Sequence, residues 1–290
     1  MKSRTVPGVM ASKRRNGSDP IVMVTAYDAP SARVATEADV DMILVGDSLA
    51  MVVLGYEDTL DLTIDDMAHH TRAVMRAKPT AVVVTDMPWM SYHVSAEESV
   101  RNAAELIRAG AQSVKVEGGR KRIPFIEAIL NAEIPVQAHI GLTPQSTNVM
   151  GGFRVQGKEA SAAEGLIEDA RALQEVGCYS IVVEGVPSIV GKLITEAVDI
   201  PTIGIGAGPD TDGQVLVYHD LIGLENRFKP KFVRRFGDAF AQQSEAVAAY
   251  AAAVRTAAFP SLEEVYSGDE SLETIGLYGA SGGEAQSGEA

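Results

Sequence analysis

Short blocks of aliphatic and β-branched residues recur along the chain, each followed by a turn and then by a longer stretch with helical spacing. Eight blocks read as strands: Ile21–Asp28, Met42–Ser48, Ala81–Pro88, Ser113–Gly118, Pro135–Gly141, Tyr179–Val186, Thr202–Gly208 and Gln214–His219. Their apolar residues are contiguous rather than alternating, as in Val82-Val83-Val84 and Ile181-Val182-Val183. Runs of this kind belong to parallel strands covered on both faces.

The segments between them carry helix punctuation. Ser95 and Glu98 have capping-box spacing ahead of Val100–Ala109, and Gly110 follows as a stop. Ser161 and Glu164 repeat that spacing before a helix expected to end near Gly177. Thr63 is placed to cap a helix whose first turn holds Asp65 and Asp66, and Pro30 suits a first helical turn. Such alternation predicts an α/β fold with a parallel sheet. Eight units in about 240 residues fit a closed (β/α)8 TIM barrel, and an open doubly wound sheet is the architectural alternative.

Four segments fall outside the repeat. Met51–Thr63 predicts a small ribbon over the end of strand two, and the polar, Gly-rich stretch Leu142–Lys158 is long enough for a functional loop. Phe232–Ala257 reads as a long Ala-rich helix, and from Ser267 onward Gly, Ser, Ala and Glu predict a disordered tail. The expected organisation is one catalytic domain over 1–260, including that helix, and an acidic Gly/Ser-rich tail over 261–290.

Composition narrows the function classes. Apolar residues at 46% and charged residues at 22% describe a globular chain rather than a disordered one. No apolar run approaches the roughly 18 residues of a membrane span, and Met1–Pro20 lacks the apolar core of a secretory signal. Cys178, the single cysteine, excludes an internal disulfide and a thiolate metal cluster. A cytoplasmic protein with no membrane partner is the expectation. Net charge is −14, and half of it comes from seven acids beyond Arg255, where no Lys or Arg occurs. Nucleic acid is therefore not an expected partner.

In parallel α/β folds the ligand site lies at the carboxyl ends of the strands. Here the ends carry Asp28, Asp47 with Ser48, Asp86, Lys115 with Glu117, His139, Glu184, the run Gly204–Gly208, and His219 with Asp220. Asp47, Asp86 and Glu117 come from three successive strands and offer hard oxygen ligands of the kind that suit Mg²⁺. Either aspartate alone is explained equally well as a helix N-cap. Lys115 and Glu117, two residues apart, project to the same side of a strand. There Lys115 would neutralise a substrate carboxylate or form a buried ion pair with Glu117, and the two readings are compatible. Glu184 follows three aliphatic residues, a depth that suits proton transfer; the plain alternative is an acceptor for loop amides. His139 is a catalytic or a hydrogen-bonded structural histidine, while His69 and His70 read as surface or packing residues of a helix. The Gly204–Gly208 run has G-x-G-x-G spacing without the glycine that a dinucleotide site needs, and reads as a rim where backbone approaches a ligand. Trp89, Met90 and Tyr92 line a pocket or pack in its wall.

An ordered series of motifs adds to this reading. Thr25-Ala-Tyr-Asp28, Val45-Gly-Asp-Ser-Leu49, Thr85-Asp-Met-Pro88, Val114-Lys-Val-Glu-Gly-Gly119, His139-Ile-Gly-Leu-Thr-Pro-Gln-Ser146, Gly151-Gly-Phe-Arg-Val-Gln-Gly157, Val183-Glu184, Ile203-Gly-Ile-Gly-Ala-Gly208 and Asp212-Gly-Gln-Val215 follow one another along the chain. Together they resemble the ketopantoate hydroxymethyltransferase family, over residues 3–260; Leu224–Lys229 departs from the family's forms. The resemblance implies a (β/α)8 barrel of the phosphoenolpyruvate/pyruvate superfamily. It also implies transfer of a hydroxymethyl group from 5,10-methylenetetrahydrofolate to 3-methyl-2-oxobutanoate, giving 2-dehydropantoate for pantothenate and coenzyme A biosynthesis, through a Mg²⁺-stabilised enolate.

By the same resemblance, Asp47 and Asp86 correspond to Mg²⁺ ligands, and Glu117 to a third metal-site acid acting through water. Ser48, with Asp47, corresponds to a substrate contact, Lys115 to the residue that binds the keto acid, and Glu184 to the proton acceptor. His139 falls near the new hydroxymethyl group. A homodecamer is implied, with Phe232–Ala257 as the contact to a neighbour. Two other functions compete. One is a Mg²⁺-dependent carboxylate lyase of the same superfamily, which would need a catalytic cysteine in a flexible loop, whereas Cys178 opens a strand. The other is a non-catalytic carboxylate-binding barrel.

Overall fold

The computed structural model describes residues 3–224 and 230–269. All eight expected strands form: β1 (Ile21–Thr25), β2 (Met42–Val45), β3 (Val82–Asp86), β4 (Ser113–Glu117), β5 (Val136–Gly141), β6 (Ser180–Glu184), β7 (Thr202–Ile205) and β8 (Gly213–Leu216). They pair in parallel in chain order, and β8 closes on β1 with Met23 beside Val215. Closure removes the open doubly wound sheet from consideration. Crossovers are made by α1 (Ala29–Glu37), α2 (Ile64–Met75), α3 (Ala96–Arg108), α4 (Ile123–Asn131), α5 (Ala160–Glu175) and α6 (Ser188–Ala197). Residues 206–212 return the chain from β7 to β8 without a helix.

The contiguous apolar runs resolve into two cores because successive strand side chains face opposite ways. Val24, Ile43, Val83, Val116 and Val183 point outward and pack against helix residues such as Met67, Leu106 and Ile129. Met23, Leu44, Val84, Val182, Ile205 and Val215 point inward and fill the barrel. Each fully buried aliphatic side chain contributes about 1.5–3 kcal/mol, so burial on both faces stabilises the sheet. On β4 and β5 the inward positions are polar instead: Ser113, Lys115, Glu117, Gln137 and His139 are all buried. The barrel interior is thus apolar on most staves and ionic on two.

An N-terminal segment closes the end of the barrel where the strands begin. Val9, from the helix Val6–Met10, joins the inner core. Lys13 is 1% exposed, and its Nζ lies 2.7 Å from Asp212 Oδ2 while donating to the carbonyls of Thr195 and Ile200.

Several local expectations hold and others do not. Thr63 caps α2, in a capping box with Asp66, and Ser95 Oγ accepts from Glu98 N at α3 without the reciprocal bond. Asp28, read as a strand end, instead forms a capping box with Ser31 at α1. Ser161 is no cap: α5 starts at Ala160, and both Ser161 and Glu164 lie inside it. The expected ribbon over Met51–Thr63 is absent; Leu49–Val52 is a single helical turn, and Val53, Leu54 and Tyr56 are exposed rather than alternately buried. The Ala-rich helix, α7 (Ala239–Arg255), begins later than Phe232, after Gly237 and Asp238.

Internal contacts divide the chain into two compact units after Asp238. The first holds the whole barrel. The second contains α7, which buries no residue of its own and leaves Phe240, Val247, Tyr250 and Val254 exposed. The greater part of the acidic tail expected from Ser267 onward lies outside the described residues, as do residues 225–229 of the departing stretch. Among the described residues no helix is long and apolar enough to cross a membrane.

Candidate active site

Strand register brings the ionisable residues together. Asp86 pairs with Lys115, Glu117 with His139, and Gly141 with Glu184. Asp47 and Ser48 sit in the turn just beyond β2, where Asp47 N donates to Asp86 Oδ2 at 3.0 Å. Asp47, Ser48, Asp86, Lys115, Glu117, His139 and Glu184 all line one cavity of about 90 Å³ at the carboxyl ends of the strands. Across the barrel from β3–β5 the lining is apolar, formed by Ile205, Val215 and Val217, while Leu44 and Val182 line it on the flanking strands β2 and β6.

Lys115 is the electrostatic centre of the ionic wall. Its Nζ lies 3.1 Å from Asp86 Oδ1, 3.7 Å from Glu117 Oε1 and 3.1 Å from His139 Nδ1. Burial works against the ammonium, but Asp86, Glu117 and Asp47 outweigh it and raise the pKa, so Lys115 is a fixed positive charge. The ion pair anticipated for Lys115 and Glu117 is present, and the closer partner is Asp86. His139 Nδ1 lies 3.1 Å from Glu117 Oε1, and His139 Nε2 lies 3.2 Å from Glu184 Oε2 without hydrogen-bond alignment. Burial and Lys115 oppose protonation of the ring, yet the two glutamates prevail and lift its pKa to about 9. Glu117 is held below the usual carboxylate range: burial pushes it up, but His139 and Lys115 win.

The two aspartates are in the opposite condition. Burial, then the charges of Glu117 and Asp86, push Asp47 well above the ordinary range. Burial likewise raises Asp86, despite the pull of Lys115. Asp86 Oδ1 has no hydrogen-bond donor, although the Lys115 charge is near. Negative charge is therefore in excess, and the donors are hard oxygens, which fits a divalent cation such as Mg²⁺. No ready-made cage of three or more His, Cys, Asp or Glu side chains occurs among the described residues. A cation here would rest on Asp47 and Asp86, with Glu117 turned toward His139 and the amide of Gln145.

Glu184 is less enclosed than the other acids, with its side chain 16% exposed against 3% for Asp86 and Glu117. Being shallower puts it where a bound molecule meets both the ionic and the apolar wall.

Other strand ends turn out differently. Asp28 caps α1, and Thr25, two residues on from inward Met23, lines the cavity in its place. At β8 the lining residues are Val215 and Val217, whereas His219 and Asp220 lie in the short helix Tyr218–Leu221. In the Gly204–Gly208 run, a side chain at 206 would meet Phe232 and one at 208 would meet Ser188, so close packing accounts for these two glycines. Trp89 and Met90 are exposed, Tyr92 is fully buried, and His70 Nδ1 bonds to Tyr27 O at 2.7 Å as a packing residue.

The residue types did not flag Gln145 or Tyr27 as site residues, and Tyr92 was read only as lining a pocket or packing in its wall. Gln145 Nε2 donates to Asp47 Oδ2 at 2.9 Å, Tyr92 OH donates to Gln145 Oε1 at 2.6 Å, and Tyr27 OH is 2.9 Å from Ser48 Oγ. The loop carrying Gln145 starts from Gly141, whose φ is +95°; a Cβ there would lie 2.2 Å from Glu184 O. Only glycine lets β5 approach β6 so closely and turn the chain back over the cavity. Cys178 is buried ahead of β6, away from the cavity-lining residues, and so lacks the place that a loop nucleophile would need.

The family model described as ketopantoate hydroxymethyltransferase matches residues 4–262. A 3-methyl-2-oxobutanoate hydroxymethyltransferase of Syntrophobacter fumaroxidans is 52% identical over 281 residues, covering 96% of this chain and 98% of the relative. One of Moorella thermoacetica is 51% identical, covering 90% and 97%. Among solved structures, oxaloacetate acetylhydrolase in complex with 3,3-difluorooxalacetate superposes with a TM-score of 0.57 at 16% identity, covering 94% and 95% of the two chains. 2,3-Dimethylmalate lyase, of the PEP mutase/isocitrate lyase superfamily, gives 0.54 at 17% identity, covering 95% and 93%. At such identities the structural likeness speaks for the fold alone.

Proposed function

Since the chain belongs to the ketopantoate hydroxymethyltransferase family, we propose that the two-walled cavity at the carboxyl ends of the strands is where its reaction takes place. The activity is that of a 3-methyl-2-oxobutanoate hydroxymethyltransferase, in pantothenate biosynthesis. The observation that carries the assignment to this cavity is its division. Ile205, Val215 and Val217, on and just beyond strands across the barrel from β3–β5, offer an apolar face for a branched alkyl group, and the acids and Lys115 suit a keto acid's polar end.

The residues take the following parts. Lys115, fixed in its charged form, attracts the substrate carboxylate, and Ser48 adds a hydrogen bond from the loop after β2, its hydroxyl steadied by Tyr27. Asp47 and Asp86 would hold a divalent cation, with Glu117 reaching it through water. When bound, that cation supplies Lewis-acid polarisation of the keto oxygen, worth several kcal/mol at the transition state. Glu184 accepts the proton from C3, because it stands where the alkyl and polar walls meet. His139, anchored by Glu117, lies 3.2 Å from Glu184 and fixes the position of that carboxylate beside the substrate. The apolar wall keeps water from the carbon so exposed until it bonds to the methylene carbon of 5,10-methylenetetrahydrofolate, the proposed one-carbon donor. Both C–N bonds of that methylene break, water supplies the hydroxyl, and tetrahydrofolate leaves. Assembly as a homodecamer through the exposed apolar residues of α7 is part of the same proposal, and light scattering on the full chain tests it.

The direct test is formation of 2-dehydropantoate from the keto acid and methylenetetrahydrofolate by the purified full chain. Product should appear with Mg²⁺, vanish with a chelator, and return when Mg²⁺ is restored. Undiminished turnover under chelation would reject the cation, and absence of product with both substrates would reject the folate donor.

A further inference from the structure

Each of the three acids in the ionic wall has one oxygen taken by an amide N–H. Asp86 Oδ2 accepts from Asp47 N, Asp47 Oδ2 accepts from Gln145 Nε2, and Glu117 Oε2 accepts from Gln145 N at 3.1 Å. One residue therefore provides two of the three anchors. The oxygens left over on Asp86 and Glu117 are those facing Lys115 and His139.

The Gln145 side chain has one workable orientation. Its two amide hydrogens go to Asp47 Oδ2 and to Met87 O, both at 2.9 Å, and its oxygen accepts from Tyr92 OH. Reversed, the amide oxygen would face a carboxylate and a carbonyl, neither of which donates. Tyr92 OH in turn accepts from Glu117 N at 3.2 Å, and its single hydrogen favours Gln145 Oε1 at 2.6 Å over Glu117 O at 3.3 Å. Gln145 is 6% exposed and Tyr92 fully buried, so water does not compete for these bonds.

From this we propose that Gln145 is a positioning residue for the divalent cation of the proposed mechanism: it sets the carboxylates of Asp47 and Glu117, and Tyr92 locks its amide in place. The inference rests on the cation reading above and adds to it the residues that orient the acids. Partners that orient metal ligands typically change metal affinity by 10–100-fold when removed.

The test is Mn²⁺ binding to the full chain without substrates, counted by the electron paramagnetic resonance signal of free Mn²⁺, with unfolding of the metal-free protein measured alongside. Asp47→Asn should abolish tight binding. Gln145→Met, which keeps the volume and the backbone N–H to Glu117 but loses the side-chain donors, should raise the Kd for Mn²⁺ about tenfold or more. Tyr92→Phe should raise it about threefold or more. In turnover, excess Mg²⁺ should restore much of the lost kcat in both variants. A Gln145→Met protein that melts earlier yet binds Mn²⁺ as the parent does would overturn the positioning role and leave the cation reading standing. A parent chain that does not bind Mn²⁺, or an Asp47→Asn variant that binds it unchanged, would overturn both. If Gln145→Met does not fold, Tyr92→Phe decides on the same criterion, an unchanged Kd counting against the inference.

Discussion

Lys115 Nζ and Asp86 Oδ1 lie 3.1 Å apart across the register pair of β4 and β3, with both side chains almost wholly buried. Truncating one partner of a buried charge pair costs about 2–5 kcal/mol, much of it from stranding the other charge. Lys115→Met should therefore lower kcat/KM by about a hundredfold or more, mainly through KM for the keto acid. Steady-state kinetics with the keto acid varied will show it. An unchanged KM would mean that Lys115 balances the acids without touching substrate.

Asp86 should matter to catalysis more than to folding. Its carboxylate accepts from Asp47 N and faces the buried Lys115 ammonium. Glu117 Oε1, at 3.7 Å, stays behind to balance that charge, so the loss costs about 2 kcal/mol, the low end of the range for a buried pair. Asp86→Ala should fold, lose metal-dependent turnover, and no longer respond to added Mg²⁺. Full activity in that variant under chelation would remove Asp86 from the cation site.

At the opposite end of the barrel the expectation is reversed. Lys13 bridges Asp212 and two carbonyls in a fully buried setting. Lys13→Ala breaks that pair at a cost of about 3–5 kcal/mol, which should lower Tm by roughly 10 °C. Below the transition its kcat should match the parent's. A Tm unchanged by calorimetry would mean that the N-terminal segment does not help to close the barrel.

Cys178 gives a prediction about pH. Burial favours the neutral thiol and pushes its pKa up to about 12, so the thiolate fraction rises only as pH approaches that value. At pH 8 about one molecule in ten thousand carries the reactive form. A thiol reagent should leave the folded chain unlabelled at pH 8 and label the denatured chain once. Rapid labelling of the folded protein would place Cys178 nearer the surface and reopen the lyase reading.

How much of this was legible in the sequence depends on the scale of the signal. The eight strands were readable because parallel strands buried on both faces leave unbroken aliphatic runs, and β3 and β6 lie within Ala81–Pro88 and Tyr179–Val186. The acids, Lys115, His139 and Glu184 were readable because strand ends share one rim, so that position along each strand stands in for position in space. Asp28 and His219 fail that rule because the strands stop earlier than the polar residue, at Thr25 and Leu216, and the chain has already turned into a helix. The Val52-Val53-Leu54 run imitates a strand, but it begins inside a helical turn and then faces solvent. Ser161 and Glu164 have cap spacing one residue inside a helix that starts without a side-chain cap.

Gln145 was out of reach, and Tyr92 was legible only as part of a pocket wall, for a different reason. Their importance comes from bonds between residues far apart in the chain, such as Gln145 to Asp47 and Tyr92 to Gln145. Neither period nor spacing encodes such contacts. The motif His139–Ser146 includes Gln145, yet within the motif nothing distinguishes a positioning amide from loop polarity.

The account stands on Glu184 removing the C3 proton of the keto acid within this cavity. The measurement closest to that step is deuterium uptake at C3 of 3-methyl-2-oxobutanoate, incubated with the full chain and Mg²⁺ in D₂O without folate and followed by proton NMR. The parent protein should exchange C3, and Glu184→Gln should exchange it about 10²–10⁴-fold more slowly, the range expected for loss of a general base. Exchange that proceeds equally well in Glu184→Gln, or no exchange in the parent, would contradict the account.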